Sequence, residues 1–352
     1  MSEQDSVQTR PKVSILVPAY NVERFVEQCM DSLVNQTLRD IEIIVINDGS
    51  TDSTKVILER YAAEDARVIL VDKQNSGYGD SMNIGLQKAR GEYVGIIEPD
   101  DFAETFMFEK LYGAAKANDL DIARGNYYIL YTETGEEVGT DHTYVPADEV
   151  IDPKDVKHIF FQPPSVWANI YRRSFLSDNG IGFLPTPGAS YQDTSFTFKV
   201  YSSANRFMMI PDRVMHYRIH PGSSTTQNAK KMFAICDEYN EIWRYIGEKG
   251  LIDRYCLLGL VLQYNGYQWN YKRLDDDSKK QFLVRWNKDI DDRVDSLMCG
   301  ADRAQRRKLL MLRILFKFAY DLNPRKWLMF LGKNRLTHRM IEKYLHGVDD
   351  DC

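Results

Sequence analysis

No stretch of this chain approaches the roughly 18 uninterrupted apolar residues that a membrane-spanning helix requires, so no span is expected. Residues 1–10 are polar, expected to be disordered, and lack the apolar centre of a secretory signal, so export is not expected either. Cysteine is scarce: five in 352 residues (Cys29, Cys236, Cys256, Cys299, Cys352), scattered and without C-x-x-C spacing. That pattern disfavours a disulfide framework or a structural zinc site and reads as reduced thiols of a cytoplasmic protein. With 12 Pro and 21 Gly, and no repeat of solenoid type, the composition gives no sign of low complexity. The glycine signatures of several enzyme classes are also missing. There is no G-x-G-x-x-G after the first strand, no G-x-x-x-x-G-K-[ST] and no G-x-S-x-G. Dinucleotide, P-loop and α/β-hydrolase chemistry lose their support accordingly.

What is present is an uneven charge. The net charge is −6, yet residues 303–345 hold twelve Lys and Arg against Asp321 and Glu342, about +10 in that segment. A basic tail on an acidic body suggests an anionic surface as partner, such as the inner face of a membrane. Nucleic acid is not expected, because its recognition would rest on the tail alone. Residues 309–320 (LLMLRILFKFAY), with Arg306, Arg313 and Lys317 near one face, read either as an interfacial helix or as a core helix packed on the first domain.

The first half alternates strand-like and helix-like segments. Residues 13–18 and 41–46 are short apolar runs with β-branched residues, and 68–71 and 93–97 read as two further strands. Helical period begins near Val22, continues through Val56, Leu58 and Tyr61, and returns at 81–89. Such alternation builds βαβ units and a mainly parallel sheet, with ligands beyond the carboxyl ends of the strands. Four clusters fall there: 18–21 (PAYN), 47–49 (NDG), Asp72-Lys73, and Glu98-Pro99-Asp100-Asp101. The middle, 125–220, mixes short strands and polar turns, and from about Asn228 the pattern is helical and rich in aromatics. The expected domains are 11–225, α/β, and 226–352, helical.

Three carboxylates in four residues at a strand end repel each other unless a cation neutralises them. Oxygen ligands on a short turn suit Mg²⁺ or Mn²⁺, while a solvated loop capping the next helix is the alternative. Asp48 and Gly49 could meet a nucleobase, or simply form a turn and cap. Asp193, at a helix start after a glycine-containing loop, is either a cap or a base presented to a cleft. His216, Arg218 and His220 share one face of an extended segment and could meet a diphosphate and its metal. His158, His338 and His346 read as structural.

Together these strings resemble the family 2 glycosyltransferases, inverting enzymes of the GT-A fold, and among them those of bacterial cell-surface polysaccharide synthesis. The matching strings are 13–21 (VSILVPAYN), 46–52 (INDGSTD), 75–86 (NSGYGDSMNIGL), 91–94 (GEYV) and the EPDD turn, in the family's order and spacing over about 13–225. The resemblance implies a nucleotide-sugar donor, expected to be UDP-linked, held by Pro18, Tyr20, Asn21, Asp48, Lys73, Asn75, Gly77, Asn83, Glu98 and Arg218. It implies Mn²⁺ or Mg²⁺ on Asp100, Asp101 and His216, with Asp193 as the base that deprotonates a glycan or lipid-linked acceptor. Residues 216–224 (HYRIHPGSS) resemble the loop that closes over the diphosphate. Two positions depart from the family pattern: Glu98 stands where Asp is usual, and Met82 where many members carry Arg. A phosphate contact is then missing or falls to Lys73 or Arg218. Residues 281–286 (QFLVRW) are one residue too long for the Q-x-x-R-W of processive synthases and read as ordinary helix. A sugar-phosphate nucleotidyltransferase would want a basic glycine-rich loop after the first strand, and a non-catalytic nucleotide-sugar-binding module would not need Asp193.

Overall fold

The computed structural model describes residues 10–141, 144–221 and 231–318. Those residues form two compact units, 10–159 with 163–221, and 160–162 with 231–318. The boundary expected at 225/226 falls in 222–230, outside the described residues. So do residues 1–9 and the basic tail beyond 318.

The first unit opens with β1 (Val13–Ala19), α1 (Val26–Val34), β2 (Ile41–Asp48), α2 (Thr54–Glu64), β3 (Val68–Lys73), α3 (Tyr78–Lys88) and β4 (Tyr93–Ile96). Every residue of β1 and β2 is buried, as strands covered on both faces should be. Edge strand β3 buries only Val68. Helix α1 starts later than its apolar period, because Phe25 and Val26 both donate to the Val22 carbonyl in a preceding turn. Helix α3 starts earlier than expected and lies close on the sheet, where a Cβ on Gly85 would come within 3.1 Å of Leu16 and Ile46.

The remaining elements are β5 (Phe102–Ala103), α4 (Met107–Ala117), β6 (Ile122–Tyr131), β7 (Glu137–Thr140), β8 (Asn169–Arg172), α5 (Arg173–Asp178), α6 (Gln192–Ser203) and β9 (Phe207–Ile219). The sheet runs β3-β2-β1-β4-β8-β6-β9-β5, with β7 beside β6. The first four strands are parallel, β8 is antiparallel to β4 and β6, and β6 pairs with β9 in parallel. This is the expected α/β class with a mixed sheet. The middle departs from the expectation of short strands, since β6 has 10 residues and β9 has 13. Pro211 looks like a break, but the pairing shifts register around Asn126, whose amide donates to the Pro211 carbonyl at 3.0 Å. A bulge thereby carries the strand through a proline.

Register places the functional ends together. Ala19 lies opposite Asn47 and Asp48 opposite Lys73, while β4 stops at Ile96 opposite Leu16. The loops after β1 and β2 are also tied to each other. Thr51 donates its N–H to Asn21 Oδ1 at 2.8 Å, and Val22 donates its own to Thr54 Oγ1 at 2.8 Å.

The second unit contains α7 (Ala234–Glu248), α8 (Ile252–Tyr271), α9 (Asp276–Met298) and α10 (Arg303–Phe318). Trp286, Tyr267 and Phe282 are fully buried at its centre and meet edge-on. Trp286 is the tryptophan of the QFLVRW string, which is one amphipathic stretch of α9 that buries Phe282 and Trp286 and exposes Gln281 and Val284. Helix α10 buries Leu309, Leu312 and Phe316, and Phe316 stacks on Tyr264 of α8. Arg313, expected on a basic face, instead donates to Asp291 and Asp295 of α9. The helix therefore packs within its own unit, leaving Leu310 and Ile314 exposed beside Arg303, Arg306 and Arg307. No helix among the described residues is long and apolar enough to cross a membrane.

Candidate active site

The acidic turn forms where β4 runs out. Ile97 donates to the Leu16 carbonyl at 3.0 Å, and Asp101 donates to the Glu98 carbonyl at 3.1 Å, closing the turn over Pro99 and Asp100. Arg218, near the end of β9, braces it. Its backbone N–H reaches Asp101 Oδ1 at 2.7 Å, its Nε the Asp100 carbonyl at 2.7 Å, and its Nη2 Gln28 at 2.6 Å. The guanidinium also lies over the rings of Phe25 and Phe102. Arg218 thus holds the turn, with little left over for a phosphate. His220, just beyond, places Nε2 3.1 Å from Asp100 Oδ2.

Charge in the turn is poorly compensated. Burial, then the charges of Asp100 and Glu98, hold the Asp101 carboxyl well above the ordinary carboxylate range, against the Arg218 N–H. Its Oδ2 is buried without a partner among the described residues. Glu98 is pushed up to about 8, mainly by burial and further by Asp100 and Asp193, while the Tyr78 hydroxyl opposes the shift. That hydroxyl donates to Glu98 Oε1 at 2.7 Å. Cys29 lies beneath, its thiol raised by burial and then by Asp101, Asp100 and Glu98.

Asp193 stands in the first turn of α6, after Tyr191 in a left-handed conformation at φ 67°. Burial raises its carboxyl to about 6, against hydrogen bonds from its own N–H, the Thr194 N–H and the Thr194 hydroxyl. Its charge is felt at both Glu98 and Tyr78, so it lies near the acidic turn. The loop before α6 is pinned to α3. Tyr78 donates its N–H to the Gly188 carbonyl at 2.9 Å, and Gly77, at φ 101°, has room for no side chain against Thr186 and Gly188.

The strand-end clusters serve partly as scaffold. Asp48 accepts the N–H groups of Ser76 and Gly77 at 2.9 Å each, and Lys73 is bound to it as well. Lys73 further meets Ser76 and Asp80, so its ammonium is engaged inside the protein. Pro18 is a buried position of β1, whereas Tyr20, 48% exposed, and Asn75 face solvent. Asn21, at φ 52°, is spent on Thr51. Asn83 both donates to and accepts from the Phe183 backbone at 2.9 Å, fixing the segment after α5. Met82 is fully buried, so the position at which the resemblance suggested an Arg is core here.

His216 is not brought to the turn's carboxylates. Nδ1 lies 2.7 Å from Glu137 and Nε2 3.0 Å from Glu104, with the ring stacked between Phe102 and Tyr128. The face that Arg218 shares was legible in the alternation, but Glu104 and Glu137 capture the histidine. His220 is the imidazole at Asp100. Tyr78 was missed as a site residue although it sits in a matching string between two glycines, the one local signal of a side chain at a tight helix start.

Among the described residues no three His, Cys, Asp or Glu side chains form a ready metal cage. The orphaned Asp101 Oδ2 and the part-exposed Asp100 carboxylate do fit a hard divalent ion that completes its shell from phosphate and water.

Residues 14–179 match the glycosyl transferase family 2 domain. The chain is 35% identical over 235 residues to EpsJ, an uncharacterized glycosyltransferase of Bacillus subtilis, covering 61% of this chain and 63% of EpsJ. It is 31% identical over 212 residues to a poly(ribitol-phosphate) beta-glucosyltransferase of Bacillus spizizenii, covering 59% of this chain and 32% of that protein. The chain therefore matches less than two thirds of these relatives' length. Residues 1–349 of TarS from S. aureus, solved with UDP-GlcNAc, share the fold at a TM-score of 0.66 and 19% identity, over 92% of this chain and 93% of that one. The sheet and helical region thus share the GT-A fold of that structure.

Proposed function

We infer, for a chain whose residues 14–179 match the glycosyl transferase family 2 domain, that it transfers a sugar with inversion from a UDP-sugar to a glycan or lipid-linked acceptor in cell-surface polysaccharide synthesis. The observation that carries this reading is Asp193, a buried carboxyl at about 6 at the start of α6, whose charge is felt at Glu98 beside the acidic turn. An acid titrating near 6 is ionised at neutral pH yet basic enough to take a proton from an attacking hydroxyl.

In the step, Asp193 removes the acceptor's hydroxyl proton as that oxygen bonds to the anomeric carbon. The bond from that carbon to the diphosphate oxygen breaks, its electron pair leaves with UDP, and Asp193 releases its proton to solvent. Tyr78 orients Glu98 through the 2.7 Å hydrogen bond, and Arg218 keeps the turn in place. Asp100 and Asp101 would hold Mn²⁺ or Mg²⁺, which when bound stabilises charge on the diphosphate. Tyr20, exposed at the end of β1, offers a ring to the nucleobase.

The test is UDP release from a panel of UDP-sugars with Mn²⁺. Asp193→Asn is expected to lower transfer by about 10²–10⁴-fold while donor KM changes little; near-normal transfer in this variant removes Asp193 from the mechanism. The reading extends to the inner face of a membrane, supported by the exposed Arg303, Arg306 and Arg307 beside Leu310 and Ile314. Co-sedimentation with anionic but not neutral liposomes is expected, and no sedimentation with either ends that part of the reading.

A further inference from the structure

Trp167 and Tyr217 form a parallel stack, with ring centroids 5.0 Å apart and planes 8° from parallel. Trp167 belongs to a short turn that leads into β8, and Tyr127 meets it edge-on at 4.6 Å. Tyr217 is anchored in β9, opposite Ile129 of β6. Both rings are thus locked by packing, as a recognition surface requires.

Their polar tips behave differently from those of Trp243, Tyr93 and Tyr171. Trp243 gives its indole N–H to Gln263 at 2.8 Å, Tyr93 its hydroxyl to the Leu120 carbonyl at 2.9 Å, and Tyr171 its own to the Val166 carbonyl at 3.1 Å. Among the described residues the Trp167 N–H and the Tyr217 hydroxyl make no hydrogen bond, and neither is sealed from solvent. Burying such a group unpaired would cost free energy, so both tips are directed to a wet surface. Tyr217 is half-buried, and its charged neighbours are Asp101, Asp100, Glu98 and Asp193. That places it near the acidic turn, which its neighbour Arg218 braces through Asp101, and within reach of the Asp193 charge, on the strand face opposite Arg218.

We propose that Trp167 and Tyr217 are the acceptor-binding wall of the cleft, donating from the indole N–H and the phenol O–H to hydroxyls of a pyranose held beside Asp193. The proposal rests on the transfer reading, since it assigns the sugar that accepts. On the transfer reading a nucleobase uses the ends of β1 and β2 and the diphosphate lies at Asp100 and Asp101, which leaves this wall to a neutral polyhydroxyl ring. It can also accept both hydrogen bonds while lying against the aromatic surface.

Two readouts test this separately. In the first, saturation-transfer NMR measures binding of a panel of p-nitrophenyl hexosides to the full chain in the presence of UDP and Mn²⁺. Tyr217→Phe, which keeps the stack, and Trp167→Phe are each expected to weaken the best glycoside about two- to tenfold, the worth of one neutral hydrogen bond. In the second, with UDP-GlcNAc as donor, the same variants raise KM for that glycoside by the same factor and leave donor KM in place. A wild-type chain that binds no glycoside of the panel, or folded variants that bind as wild type does, overturn the proposal. So does a rise in donor KM equal to that for the acceptor. Failure of the wild-type chain to release UDP from any donor counts against the transfer reading alone, because the binding measurement stands without it.

Discussion

Thr194 offers a direct handle on the proposed base. Its hydroxyl and its N–H both lower the Asp193 carboxyl, and together with Asp193's own N–H they hold to about 6 a group that burial alone would push higher. Thr194→Val removes the hydroxyl and leaves both N–H groups. A hydrogen bond to a charged group contributes about 1.5 kcal/mol or more, and one pKa unit corresponds to about 1.4 kcal/mol. The carboxyl of the variant should therefore titrate near 7. A general base works only when ionised, so kcat/KM falls on the acid side of its pKa, and this limb should move up by about one unit. At pH 6 the ionised fraction drops from about a half to about a tenth, a loss of about fivefold, whereas at pH 8 the loss is about a tenth. The assay is UDP release from UDP-GlcNAc with a hexoside acceptor at fixed Mn²⁺, from pH 5 to 9. A limb that stays at about 6, or a uniform loss at every pH, refutes the assignment of Asp193 as the titrating base.

Glu98→Gln keeps the Tyr78 hydrogen bond and removes the titration. Glu98 is raised from 4.5 to about 8, so the folded state takes up a proton between those values. Its contribution to stability is fully present below about 4.5 and is lost as pH rises through 8. Wild type should thus lose up to about 2–3 kcal/mol more than the variant between pH 6 and 8 in urea unfolding without metal, and parallel curves would show Glu98 ionised in the fold. Gly79→Ala drives a Cβ to within 2.0 Å of the Leu184 carbonyl and should cost about 1–3 kcal/mol of unfolding free energy. Gly113→Ala, with nothing within 4 Å inside α4, should stabilise by up to about 1 kcal/mol; equal effects at the two sites would contradict the packing described. Asp100→Asn should abolish the Mn²⁺ dependence of UDP binding in calorimetry, and an unchanged metal response would take Asp100 out of the ligand set.

The parallel half of the sheet is legible because each strand is an apolar run that must be covered on both faces, and register then follows from chain direction. Once β1, β2, β3 and β4 are ordered, Tyr20, Asp48, Lys73 and Glu98 come to one edge without any further information. Partners are another matter. Alternation along β9 correctly groups His216 with Arg218, but it carries no trace of Glu137, 79 residues away, or Glu104, 112 away, which bind the histidine's two nitrogens. Asp48 likewise reads as a free acceptor until Ser76 and Gly77 fold back on it. Periodicity specifies which face a side chain occupies, whereas hydrogen-bond satisfaction depends on segments brought in by tertiary packing. The same limit hides Trp167 and Tyr217, whose stack joins a turn before β8 to β9 across a gap of 50 residues. A residue whose polar atoms are consumed by the fold serves as scaffold. By that criterion Lys73, Asn83 and Arg218 support the site, whereas the buried Oδ2 of Asp101 and the Tyr217 hydroxyl make no hydrogen bond among the described residues.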